Sequence, residues 1–293
     1  MPVLPELLSL NKRCTSGDEL PLFFESSSHP LYGAFHPAET GPRTDRVIVF
    51  CHSLGIEHMV AQRMQVLGAR MAAKAGFASF YYDSRGHGDS AGDAKKLTFK
   101  DLVDDACVAA DYARKLSGAS KIIWVGVRFG SLIAAAAIAC RDDSAALALW
   151  EPLHHGSEYF KAAIRTTLFC KVAQGKRSNS SVDDMLLRLE AEGVLPVIGT
   201  YLYAALWNSA INLNLGQLLK HWSGETLIAQ IQLRPVLSAN NQRLQWEIQQ
   251  RGAKTAVKLI NQEPAWSMLP LVRPQWTNGL LLEATKEWLS ELA

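Results

Sequence analysis

Short apolar runs of strand length alternate with longer stretches whose apolar positions recur every three or four residues. Residues 21–25 (PLFFE) and 31–36 (LYGAFH) flank a polar turn at 26–30, which predicts a hairpin. Residues 47–51 form an uninterrupted apolar run, the pattern of a central parallel strand covered on both faces. Between 59 and 75, Val60, Met64, Leu67 and Met71 share one helical face, with Gly76 as the stop. A strand over 77–82 follows. A helix then runs from 99 to about 116, with Leu102, Val103, Ala106, Cys107 and Ala110 on one face and Thr98 as its N-cap. Residues 121–125 predict a strand, 129–140 a buried Ala-rich helix, and 145–150 another short strand. From 153 to 222 the periodicity is helical throughout, with no strand. Alternation resumes with strands at 235–238 and 255–260 and helices at 242–250 and 280–292.

Strands that alternate with helices predict an α/β fold with a doubly wound, mostly parallel sheet. Residues 1–152 and 223–293 then form the core, and 153–222 an inserted helical cap. The cap covers the carboxyl ends of the strands, where open α/β sheets bind their ligands. A chain of 293 residues that is 48% apolar and 20% charged is ordinary for a folded globule and argues against disorder. A net charge of +2 excludes nucleic-acid binding by bulk electrostatics, and no helix-docked basic cluster or zinc spacing is present. Five scattered cysteines read as reduced thiols. The start, MPVLPELLSLNKRC, lacks a signal-peptide pattern, and the longest apolar stretches fall short of the ~20 residues of a membrane-spanning helix. A cytoplasmic protein without a cofactor or metal is expected, with a homodimer left open.

The chemistry turns on 121–140, KIIWVGVRFGSLIAAAAIAC. A strand, a glycine-flanked turn and a buried helix is the layout of a nucleophile elbow, G-x-S-x-G. Here the register is Gly126-Val127-Arg128-Phe129-Gly130, so the projecting residue is Arg128. A guanidinium stays protonated and cannot attack an acyl carbon.

Three stretches together resemble the α/β-hydrolase superfamily, in particular its serine-aminopeptidase-like and lysophospholipase-like members: VIVFCHSLG, YYDSRGHGDSAG and GVRFGS. Together with the elbow arginine, LWEPLHHGSEYF and EPAWSML resemble a narrower branch, the hydrolase-like proteins encoded with exosortase systems. The resemblance implies an α/β-hydrolase fold and a Ser–acid–His triad in chain order. Two triad members are unmatched. Arg128 stands for the serine, no histidine follows His221, and Trp266 lies about where the base is expected. Ser53 replaces the usual glycine of the oxyanion turn.

The candidate catalytic residues are therefore Arg128, acting electrostatically, with His52 or Asp83 as base at neighbouring strand ends. The bland alternative is that His52 holds the turn and Asp83 ties down its own loop. Ser53, Leu54, Phe129, Glu151 and Trp266 are candidates for ligand binding. Arg128 can act as an anion clamp, or it can pair with Glu151 at the end of the next strand; a buried guanidinium needs such a partner. Ser131 is expected to face the core, and Cys51 to be a core thiol. His154 and His155 lack a third metal ligand. Lys161, Arg165, Lys171, Lys176 and Arg177 form a basic stripe, and Tyr201, Tyr203, Leu206 and Trp207 could roof a pocket or pack the cap.

Three functions compete: non-covalent binding of a small anionic or acyl-bearing molecule, an enzyme of altered mechanism, and a scaffold that binds a partner protein through the cap. An exposed apolar patch on 195–207 would mark the last.

Overall fold

The computed structural model describes residues 19–39, 44–175, 180–234, 236–264, 266 and 279–292. The first two strands, β1 (Leu20–Ser26) and β2 (His29–His36), pair antiparallel through Ser27 and Ser28, whose φ angles are 48° and 65°. Two left-handed residues make the tight hairpin turn whose twist matches that of its strands. The chain continues through β3 (Arg46–Cys51), α1 (Gly55–Lys74), β4 (Ala78–Tyr82), α2 (Phe99–Ser117), β5 (Lys121–Val127), α3 (Gly130–Ala139) and β6 (Ser144–Trp150). Thr98 caps α2 in a reciprocal box with Asp101.

The main sheet has the order β1-β2-β4-β3-β5-β6-β9-β10, where β9 is Glu225–Gln232 and β10 is Thr255–Asn261. Its last six strands are parallel. Alternate side chains of each apolar strand feed two cores. Ile48, Phe50, Ile123 and Val125 pack with α1 and with α9 (Gly279–Leu292). Val47, Val49, Ile122 and Trp124 pack with α2 and α3. Strand order reverses about β3 and β5, and a crevice opens beyond their carboxyl ends.

Between β6 and β9 lie α4 (Gly156–Ala173), α5 (Val182–Glu192), α6 (Ala204–Ala210) and α7 (Leu215–Leu218). The expectation of helix alone fails here, because β7 (Val194–Val197) and β8 (Thr200–Tyr203) form an antiparallel hairpin around Gly199, at φ 72°. Pro196 obscured it, yet a proline is tolerated in so short a two-stranded edge. The strand expected at 235–238 is also displaced. The strand is β9, and Ser238 instead caps α8 (Ala239–Gln249). Buried Gln230 breaks the apolar run of β9; its side chain donates to Val236 O and accepts from the Ser238 N–H and Asn241 Nδ2. Pro235 lies outside the described residues. Among them, no helix is long and apolar enough to cross a membrane.

Candidate functional site

Strands β5 and β6 end in register at Val127 and Trp150, and the next residue of each is left-handed: Arg128 at φ 53° and Glu151 at φ 50°. Such angles cost a non-glycine residue on the order of 1–2 kcal/mol, so the surroundings must impose them. They do. The Arg128 N–H donates to Trp150 O at 3.0 Å, and the Glu151 N–H donates to Ala229 O at 2.8 Å. The flanking glycines are sterically required. A Cβ on Gly126 would lie 2.5 Å from Ser131 Cα, and one on Gly130 would lie 2.0 Å from Cys51 O.

The turn aims Arg128 into a cavity of about 280 Å³. Among the described residues, three charged ones line it: Glu57, Arg128 and Glu151. Tyr159, Thr166 and Thr200 add hydroxyls, Trp266 an indole, and Ile56, Val197, Ile198 and Pro264 apolar wall. The Arg128 guanidinium lies 5.9 Å from the Trp266 ring centroid.

The expected Arg128–Glu151 pair is replaced by another. Arg128 Nη2 donates to Glu57 Oε1 at 3.0 Å, and the two side chains are 15% and 6% exposed. Glu57 sits in the first turn of α1, where the helix dipole favours a carboxylate, and its Oε2 also accepts from Ser53 Oγ at 2.7 Å. Glu151 instead accepts from the Ile231 N–H. Burial pushes the Glu151 carboxyl above its ordinary range, with the Ile231 N–H and the Arg128 charge opposing and the Glu57 charge adding. Burial likewise raises the Tyr159 phenol, which stays a neutral donor.

Of the expected residues, the structure brings Arg128, Glu151 and Trp266 together in this cavity. Ser53 serves it indirectly through Glu57. Leu54 is buried at the start of α1, and Phe129 is buried against Phe99 and Tyr159; neither lines the cavity.

His52 and Asp83 do not line it either. His52 is fully buried; its Nε2 accepts from the Ser84 N–H at 3.0 Å, which leaves Nδ1 to donate to Ser53 O at 2.5 Å. Burial, and then its histidine neighbours, hold it well below the usual histidine range. Asp83 pairs with His58 at 3.2 Å and accepts from the Asp89 N–H. The bland reading describes both residues better than a role as base.

Ser131 is buried and its Oγ donates to Gly126 O, and Cys51 is buried at the end of β3. His154 hydrogen-bonds Asn241 at 2.8 Å. Lys161, Arg165 and Lys171 do not line the cavity, and Lys176 and Arg177 lie outside the described residues. Leu206 and Trp207 pack inward. Sequence reasoning missed Glu57. Its one signal was an acidic residue in the first helical turn beyond a strand that ends at the crevice. Tyr159, Thr166 and Thr200 had no such signal, because the segment that carries them was read only for periodicity.

The family model for serine aminopeptidase, S33, matches residues 42–188. In fold the chain is similar to Est1E from Butyrivibrio proteoclasticus with ferulic acid bound (TM-score 0.66, 17% identity, 92% of this chain and 98% of that one). It is also similar to the esterase Pf2001 from Pyrococcus furiosus (TM-score 0.61, 12% identity, 99% and 94%). A third similar structure is the α/β hydrolase GrgF from Penicillium sp. sh18 (TM-score 0.60, 15% identity, 93% and 97%). No curated protein matches the chain in sequence.

Proposed function

The chain belongs to the serine aminopeptidase S33 family of α/β hydrolases, and we propose that it binds a small molecule above Arg128 without forming a serine acyl-enzyme. One observation carries this reading: the left-handed elbow holds a guanidinium locked to Glu57, and none of the described cavity-lining residues is Ser, Cys or His. An acyl-enzyme needs a nucleophile and a base within hydrogen-bond reach of each other. Ser131 Oγ is turned to Gly126 O instead. Residues 153–222 act as the cap over a core of 1–152 and 223–293, a division supported by Tyr159, Thr166 and Thr200 entering the cavity from between β6 and β9.

The test is reaction of the full chain with a fluorophosphonate, read by intact mass. No adduct is expected. An adduct mapped to Ser131 would overturn the reading and restore the ordinary hydrolase chemistry that the esterase neighbours suggest.

A second reading, an enzyme of altered mechanism, is favoured by one feature. Glu151 lines the cavity beside Arg128 with a raised pKa, as a proton-transfer group would. Product formation that is lost in Glu151→Gln and in Arg128→Ala would establish it. The scaffold reading gains little from residues 195–207, where Leu195, Val197, Leu202, Leu206 and Trp207 are buried and Tyr201 is the exposed large apolar residue.

A further inference from the structure

The charges lining the cavity decide which ligands it can take. Arg128 alone would draw a carboxylate or phosphate. One side of its fork is already engaged, with Nη2 3.0 Å and Nε 3.4 Å from the Glu57 carboxylate, while Nη1 has no hydrogen bond among the described residues. Glu151 then adds a second carboxylate to the same cavity. Among the described residues the lining charges are one cation and two carboxylates, so they sum to −1 with Glu151 ionised and to zero with it protonated. Neither state is positive. An anion at Nη1 would sit in a cavity whose other two charged groups are carboxylates, and one that took the whole fork would leave the buried Glu57 unpaired, which is strongly unfavourable.

Glu151 offers open capacity of the opposite sense. Glu151 Oε2 accepts from the Ile231 N–H, and Oε1 has no hydrogen bond among the described residues. An ionised carboxylate with a free oxygen accepts from a donor, and most strongly from a charged one. Tyr159 and Trp266 add aromatic rings to the lining, Trp266 with the Arg128 guanidinium already 5.9 Å from its centroid, and aromatic faces attract cations. Ile56, Val197 and Ile198 supply apolar wall for a hydrocarbon body.

Resting on the reading that this is a small-molecule site, we infer that the cavity takes a small organic cation, a primary ammonium on an apolar body, with Glu151 as its counter-charge. The raised Glu151 pKa fits the same role, because an arriving ammonium would replace the solvation that burial has removed.

The test titrates the full chain with hexylamine, hexanol and hexanoate, three ligands of one body and different heads, at neutral pH. Binding is followed by NMR at the Trp266 indole, assigned with Trp266→Phe. Hexylammonium should bind at least about tenfold tighter than hexanoate. Glu151→Gln should weaken hexylammonium about tenfold and leave hexanol unchanged. The wild-type ranking stands as a test even where a variant folds poorly. Hexanoate binding as tightly as hexylammonium would overturn the inference and leave the small-molecule reading in place. An ammonium preference that survives Glu151→Gln would overturn the assignment to Glu151. No binding by any of the three would remove the small-molecule reading, and the inference with it.

Discussion

Consecutive residues of α1 serve two ionisable clusters that share the carboxyl end of the sheet. Glu57 enters the cavity with Arg128 and Glu151. His58 joins a packed group with its ring 4.3 Å from that of His52 and 6.1 Å from that of His87, and with Asp83 at 3.2 Å. In the histidine group, burial holds His52 and His87 neutral, and the cluster ties the strand ends together. The cavity group carries opposed charges, and one carboxylate keeps a free oxygen. Titratable residues at a strand end thus mark a site only where space is left beside them. Here the more chemically suggestive cluster does not line the cavity.

The contrast predicts unequal responses to mutation. Arg128→Ala leaves the buried Glu57 unpaired and should cost about 3 kcal/mol in urea unfolding, most of it recovered in the Glu57→Leu/Arg128→Met double variant. If Arg128→Ala is nearly neutral, the pair is not what holds the cavity floor.

Acid should separate the two clusters by sign. Burial depresses His52 well below 6.5 and His87 to about 4, so the unfolded chain takes up protons that the folded one refuses. Stability should therefore fall as pH drops from 6.5 toward 4, by about 1.4 kcal/mol per pH unit for each such histidine. The groups that face His87 are His52, His58, Asp83 and Asp105. His87→Asn should flatten the slope by one histidine's share, and an unchanged slope would clear His87 of the effect.

Ser53→Ala removes the hydroxyl donor to Glu57 and should cost about 1.5 kcal/mol, a value for a hydrogen bond to a charged group. The smallest effect belongs to Glu151→Gln. Because the Glu151 pKa is raised, its ionisation costs stability as pH rises through the folded value. The amide should be more stable than wild type at neutral pH by less than about 1 kcal/mol, and indistinguishable from it near pH 4. A loss of stability at neutral pH would show that Arg128 needs both carboxylates.

The architecture was legible in the sequence because strand-length apolar runs report two-faced burial directly. Arg128 was legible for a different reason: Gly126 and Gly130 are dictated by backbone crowding, and together they frame the residue between them. The partner of Arg128 was not legible. Sequence adjacency of strands pointed to Glu151, whereas the helix start after β3 delivered Glu57 to the guanidinium. The hairpin β7–β8 and the strand β9 were hidden by Pro196 and Gln230, polar or rigid residues whose fit depends on partners elsewhere in the chain.

The last rungs of the ladder carry a mechanical corollary. Because residue 128 hangs from the tip of β6 and residue 151 from the Ala229 carbonyl within β9, the three strands are braced together at this end. Neither charged side chain can be re-aimed by a local backbone swing. Adaptation to guests of different girth then falls to the opposite wall, where α4 and the β7–β8 hairpin stand on no such cross-bracing from the main sheet. On the proposed small-molecule reading, the anvil is fixed and the hammer sets selectivity by size.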